Sequence, residues 1–302
     1  MLCQSGLLAS IMIPGVALCQ QTDSNTKLTG LLPEVEFSAL SQRDPNPLSA
    51  RALNIHPEQW KHAETEHFIY HFVSAYLATP VSTEAEFYYR AIVDDLQREP
   101  PATSVKSHIY IFESPEDWQQ FQSAGRLERW SGGIHSQGSL FIRRSPNYKF
   151  AGTTLGHEIG HLVLHRYYSD AIPSWLDEGF AEYVSKDTHA VYQRTRGFDA
   201  RPRSKAIAPT DMIPLASLIA MTQPPSDQVE TFYHESERLV RFLVSTDKSA
   251  FLVLLDALAS HQPFESALPR VYAGKFMNVA ECEEKFRAFA IKDFGSAVQD
   301  GQ

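Results

Sequence analysis

The chain has 302 residues, of which 43% are hydrophobic, so it is long and apolar enough to bury a sizeable core. Lys and Arg total 27 and Asp and Glu total 36, which gives a net charge of −9 with neutral histidines. This acidic balance disfavours a nucleic-acid partner, because such a partner requires a basic surface that neutralises phosphates.

The first nineteen residues, MLCQSGLLASIMIPGVALC, carry no charged side chain. Within them, Gly6–Cys19 is an apolar run whose length is typical of a signal peptide and is too short for a stable membrane span. The sequence therefore predicts that residues 1–19 direct export to the periplasm or the cell exterior. The run lacks the Lys or Arg that ordinarily precedes such a signal, and a disordered apolar tail is the alternative. Its removal would leave Cys282 as the only cysteine, so we expect no intrachain disulfide and no thiolate zinc site.

Residues 20–59 are rich in Ser, Thr, Asn, Gln and Pro, a composition that predicts a flexible leader. The folded domain is then expected to span residues 60–302. No later segment reaches membrane-spanning length.

Hydrophobic patterning within this domain predicts an α+β fold, with a small mixed sheet early and a helical C-terminal half. Strands are predicted at residues 67–73, 107–113 and 139–143, the last preceded by a glycine-rich turn, SGGIHSQG. One helix is predicted to begin at residue 82 or 83, and a second after Ser114, which would be its N-cap. Others are predicted near residue 151, at residue 174 and repeatedly from residue 232 onward. The Pro-rich stretch 194–225 is expected to be irregular.

The predicted helix near residue 151 contains the pentapeptide HEIGH, at residues 157–161. His157 and His161 are four positions apart and lie on one helix face, so both can bind a single metal ion. Neutral imidazole suits Zn²⁺. Glu158 is rotated by roughly 100° from His157, which suits it to act as general base on a zinc-activated water rather than as a ligand. An amphipathic helix that merely carries two histidines is the alternative.

A zinc site of this kind needs a third protein ligand. The metzincin pattern requires Gly and His where this chain has Leu164 and Tyr167, so that class is excluded. His165 lies about 12 Å along the helix axis from His157, too far to share its metal, and is expected to support or pack beside the site. The remaining candidates are carboxylates of the next predicted helix: Asp177, Glu178 and Glu182.

HEIGH followed by WLDEGFAEY resembles the gluzincin pattern of thermolysin-like enzymes and zinc aminopeptidases, and the wider order resembles the peptidase MA-like family. The resemblance implies a zincin-like metallopeptidase fold and one zinc ion held by His157, His161 and Glu178. It also implies that Glu182 accepts a hydrogen bond from the first histidine, in keeping with the carboxylate partners that metal-bound imidazoles normally have.

The same family has a segment similar to YHESERLVRFL after the zinc helices. The resemblance implies that Tyr233 donates a hydrogen bond to the reaction's oxyanion, with His234 as a second candidate; a core tyrosine is the alternative for Tyr233. It also implies that the strand at residues 139–143 is a sheet edge that pairs with an extended peptide. The free-amine recognition motif of the aminopeptidases is absent from the sequence, so exopeptidase action has no support.

The sequence thus predicts a zinc-dependent peptidase, most simply an endopeptidase, whose partner is a peptide or protein substrate. Two other hypotheses stay open at this point. One is a zinc-binding scaffold or sensor without turnover, and the other is a zinc hydrolase of a non-peptide amide or ester.

Overall fold

A five-stranded mixed sheet forms one layer of the fold in the computed structural model, which describes residues 30–98, 105–127, 131–144, 151–168, 172–201 and 211–299. The strands are β1 (Lys61–Glu64), β2 (Phe68–Phe72), β3 (Ser107–Phe112), β4 (Gly133–Ser136) and β5 (Ser139–Arg143). Their order is β1-β2-β3-β5-β4. The three central strands are parallel, and β1 and β4 each pair antiparallel with their neighbour.

Ten α-helices accompany this sheet among the described residues. They are α1 (Pro47–Leu53), α2 (Ala75–Leu96), α3 (Pro115–Gly125), α4 (Ala151–Tyr168), α5 (Ser174–Thr195), α6 (Leu215–Ala220), α7 (Val229–Thr246), α8 (Lys248–Ala259), α9 (Phe264–Val271) and α10 (Val279–Gln299). The predicted α+β class with a helical C-terminal half is confirmed. None of these helices combines the length and apolar character that a membrane span requires.

Local sequence chemistry accounts for several of these elements. All residues of β2 and β3 are buried, as expected for parallel strands covered on both faces. Ser114 caps α3, since its Oγ accepts from the backbone N–H groups of Glu116 and Asp117 at 3.2 Å each. The predicted start of α2 at residue 82 or 83 is too late in the sequence, because the helix begins at Ala75 and continues through Pro80.

Small residues bring α4, α5 and α7 into close contact. A Cβ on Gly160 would lie 2.9 Å from Cα of Ala181, so α4 and α5 approach each other at this point with no room for a side chain. A Cβ on Gly179 would lie 2.5 Å from the carbonyl oxygen of Ser236, which places α5 equally close to α7. The three helices that carry the predicted site are therefore fixed relative to one another by backbone packing.

The predicted flexible leader, residues 20–59, is wrong from residue 31 onward. Residues 31–302 form one compact unit, which contains all the described strands and helices. Leu32 is buried, Val35 pairs with His62 beside β1, and Asn46 caps α1 and donates from Nδ2 to the carbonyl oxygen of Ser136 at 2.7 Å. The polar residues that suggested a linker instead cap a helix or form hydrogen bonds with residues far away in the sequence. Residues 1–19 lie outside the described residues.

The predicted edge strand is also corrected. β5 is an interior strand between β3 and β4, and the sheet edge is β4, within the segment that the sequence predicted to be a turn. Gln137 and Gly138 both have positive φ, 46° and 81°, which suits a two-residue hairpin turn that folds β4 back onto β5. The edge strand is therefore only four residues long.

Candidate metal centre

Two imidazoles of α4 meet at the floor of a large cavity. Nε2 of His157 and Nε2 of His161 lie 3.0 Å apart, as the four-residue spacing on one helix face predicted.

Glu178 of α5 adds a carboxylate to this pair. Its Oε2 lies 3.4 Å from Nε2 of His157 and 3.3 Å from Nε2 of His161. This oxygen is buried and has no well-directed hydrogen bond among the described residues. Ligands of a tetrahedral zinc at about 2.0–2.1 Å are separated from one another by roughly 3.3 Å, so the three donor atoms fit such an ion.

The charges of these groups depend on one another. Burial alone would raise the pKa of Glu178, but the imidazoles of His157 and His161 outweigh it and lower the pKa to about 2. Burial would likewise lower the pKa of His157, yet the carboxylates of Glu178 and Glu182 raise it to about 9. The pKa of His161 is raised as well, against burial, by Asp177 and Glu178. The pocket thus favours an ionised carboxylate beside positive charge.

Two further carboxylates hold the outer nitrogens of the imidazoles. Glu182 places Oε1 3.3 Å from Nδ1 of His157, close enough for an ion pair. Asp177 places Oδ1 2.7 Å from Nδ1 of His161 and Oδ2 3.0 Å from Nε2 of His165. The sequence had named Asp177 only as a candidate ligand. Asp177 directly precedes Glu178 in the sequence and therefore lies close to the second histidine. This adjacency could have identified Asp177 as the hydrogen-bond partner of that histidine.

Glu158 lies on the side of the site that faces β4. It is only 6% exposed, and the backbone N–H of His135 donates a hydrogen bond to its carboxylate. A Cβ on Gly133 would lie 2.6 Å from Oε1 of Glu158, so the glycine provides the space that this side chain occupies. Burial raises the pKa of Glu158 above its ordinary value, which suits a carboxylate that must accept a proton near neutral pH.

Tyr233 and His234 approach the site from α7, and both line the cavity. The ring centroids of Tyr233 and His157 lie 6.3 Å apart. Nε2 of His234 lies 3.6 Å from Oε1 of Glu230, one turn earlier on the same helix. The structure therefore brings Tyr233 toward the paired histidines, while His234 is drawn toward an exposed carboxylate.

The cavity has a volume of about 1050 Å³ and contains all the predicted site residues in its lining. The lining also includes His135 of β4 and Lys186 of α5, which the sequence reasoning did not select. His135 was missed because its strand was predicted to be a turn. Lys186 follows Glu178 and Glu182 at four-residue spacing, which is a signal that could have found it.

A helix with paired histidines, further buried metal-ligating groups around it and an α+β fold are together typical of metal-dependent hydrolases. The comparison with known families agrees with this class. The model of the Peptidase MA superfamily matches residues 94–292, which is 199 of the 302 residues. The chain therefore belongs to the Peptidase MA superfamily. No curated protein matches the chain.

Proposed function

We propose that the protein is a zinc-dependent peptidase of gluzincin type that cleaves within peptide chains. Its membership of the Peptidase MA superfamily supports a hydrolase of peptides. The observation that carries the metal assignment is the triangle of His157 Nε2, His161 Nε2 and Glu178 Oε2, with sides of 3.0, 3.4 and 3.3 Å. These three residues would hold one zinc ion per chain.

A zinc ion bound there supplies Lewis acidity that lowers the pKa of a water molecule toward about 7. Glu158 accepts a proton from the attacking water and later gives it to the departing amine, for which its raised pKa is suited. Tyr233 donates a hydrogen bond to the oxygen that becomes negative as the carbonyl is attacked. Glu182 and Asp177 keep the two imidazoles in the tautomer that leaves Nε2 directed into the cavity.

We expect an extended peptide to bind along the outer edge of β4, which has no strand partner among the described residues and lines the cavity beside Glu158. The peptide backbone would pair with this strand and place its scissile carbonyl near the paired histidines. Export through residues 1–19 stays part of the proposal, and a substrate would then be met outside the cytoplasm.

The decisive variant is Glu158→Gln, which removes the proton acceptor and leaves the three proposed ligands intact. We expect it to retain one zinc per chain by elemental analysis and to lose cleavage by roughly 10²–10⁴-fold in a peptide-library assay. His161→Gln should instead lose zinc and activity together. Full activity in Glu158→Gln would refute the mechanism.

The same experiment separates the two other hypotheses. One zinc per chain without cleavage of any peptide, in wild type as in the variant, would favour a scaffold or sensor. Hydrolysis confined to non-peptide amides or esters, and abolished by Glu158→Gln, would assign the site to a different substrate class.

A further inference from the structure

A line of alternating charges leads away from His157 into the interface between α5 and α7. Glu182 uses Oε1 to face His157 and Oε2 to face Nζ of Lys186, at 3.0 Å. On the far side of the lysine, Oε2 of Glu237 lies 3.6 Å from the same Nζ. Lys186 thus lies between a carboxylate of the metal centre and a carboxylate of α7.

Glu237 is itself firmly held. Its side chain is 1% exposed, and its Oε1 accepts from Nε of Arg241 at 2.7 Å. Arg241 also donates from NH1 to Oδ1 of Asp187 at 3.0 Å and lies over the ring of Tyr183 at 5.0 Å. A buried carboxylate with such partners has little freedom to move, so it gives Lys186 a fixed anchor.

Helical spacing explains why these groups line up. Glu178, Glu182 and Lys186 occupy successive turns of α5 and therefore share one face of the helix. Without an anchor, a Lys–Glu pair at this spacing stabilises a helix only weakly and leaves both side chains free to rotate. Burial of Lys186 to 14% exposure, between Glu182 and Glu237, removes that freedom.

We propose that Lys186, anchored by Glu237, is a positioning residue that fixes the Glu182 carboxylate against His157 and thereby sets the affinity of the site for its metal. This inference rests on the proposed function. Neither residue is one of the three proposed ligands. Lys186 lies at the cavity wall and pairs with Glu182 and Glu237, so we expect both residues to act on the metal through Glu182. Outer-shell partners of metal-bound histidines typically contribute 10–100-fold in metal affinity.

The test compares Lys186→Met, Lys186→Arg and Lys106→Met with the wild-type chain by zinc titration against a chromophoric chelator and by peptide hydrolysis at saturating zinc. Lys106 is the matched control, because it pairs with Glu64 at 2.8 Å, is 25% exposed and lies away from the cavity lining. Lys186→Met should raise the zinc Kd roughly 10–100-fold and lower kcat more than it changes KM. Lys186→Arg should recover most of the affinity, and Lys106→Met should leave it unchanged.

Two results would overturn the inference while the proposed function stands. One is a zinc Kd for Lys186→Met within twofold of wild type, and the other is an equal loss of affinity in Lys106→Met, which would indicate general destabilisation. A wild-type chain that binds no zinc would overturn both proposals. Zinc binding without hydrolysis would leave the affinity comparison intact and refute only the proposed peptidase activity.

Discussion

Gly133 gives the sharpest prediction, because its missing side chain is the space that Glu158 fills. In a Gly133→Ala variant the new Cβ would lie 2.6 Å from Oε1 and 2.8 Å from Cγ of Glu158, and 2.8 Å from Cγ2 of Thr154. Ordinary contact between such atoms begins near 3.4 Å. Both side chains must therefore move, Glu158 by roughly 0.8 Å and Thr154 by roughly 0.6 Å, and Glu158 is the longer and more flexible of the two.

The expected cost falls on catalysis rather than on stability. A displacement near 1 Å of a reacting group can cost about 10²-fold, so we expect kcat to fall roughly 10–100-fold. Zinc binding should persist because Gly133 does not contact the three proposed ligands. The free energy of unfolding should fall by about 1–3 kcal/mol at most, which is the usual cost of adding volume to a packed site.

The assay is steady-state peptide hydrolysis at saturating zinc, with zinc content and thermal melting measured on the same samples. Thr154→Ser is the control, since it removes the neighbouring methyl group without pushing on Glu158, and it should behave like wild type. Unchanged kcat in a folded, zinc-loaded Gly133→Ala protein would show that the position of Glu158 does not limit the reaction.

Two further predictions concern stability. Burial raises the pKa of Glu235 to about 7 from an ordinary value of 4.5, against the opposing hydrogen bond from the backbone N–H of Ile213. Between these two pKa values the native state keeps a proton on Glu235 that the unfolded chain has lost. The stability that Glu235 contributes is therefore complete below pH 4.5 and is lost as pH rises through 7, by up to about 3 kcal/mol. Urea unfolding from pH 5 to 8 should show that Glu235→Gln removes this slope; parallel slopes would refute it. Gly179→Ala places a Cβ 2.5 Å from the carbonyl oxygen of Ser236 and should destabilise by about 1–3 kcal/mol, more than Gly156→Ala, whose nearest contact is 3.2 Å, when both are compared by thermal melting. Equal melting temperatures for the two variants would contradict the close packing of α5 on α7.

The parts of the site that local periodicity dictates could be predicted from the sequence. His157 and His161 share a helix face wherever the helix is placed, and Glu178 and Glu182 do so on the next helix. The meeting of the two helices was not a local property. It entered through the family resemblance, and the structure explains it by Gly156 and Gly160 of α4, which lie against Ser185 and Ala181 of α5.

The errors have a different physical origin, since they lie where tertiary contacts override local composition. β4 is four residues of a glycine-rich segment, too short to show an alternating pattern, and it is a strand because β5 pairs with it. The segment from residue 31 reads as a linker by composition. It is ordered because Asn46 binds the β4–β5 turn region and Asp44 accepts hydrogen bonds from Ser139 and Tyr110.

The charge balance of the cavity ties these observations to a divalent cation. Among the described lining residues, five are carboxylates and one is a lysine; the carboxylates are Glu158, Asp177, Glu178, Glu182 and Glu230. Glu230 is exposed, but the other four carboxylates are at least partly buried, and such an excess of negative charge is costly unless positive charge compensates it. Protons on His157 and His161 supply part of this positive charge. For this reason the pKa of each histidine is raised, although burial alone would lower it. A zinc ion needs the same nitrogens deprotonated, so protons and metal compete for the site, and zinc affinity should weaken as pH falls below the pKa of about 9 of His157.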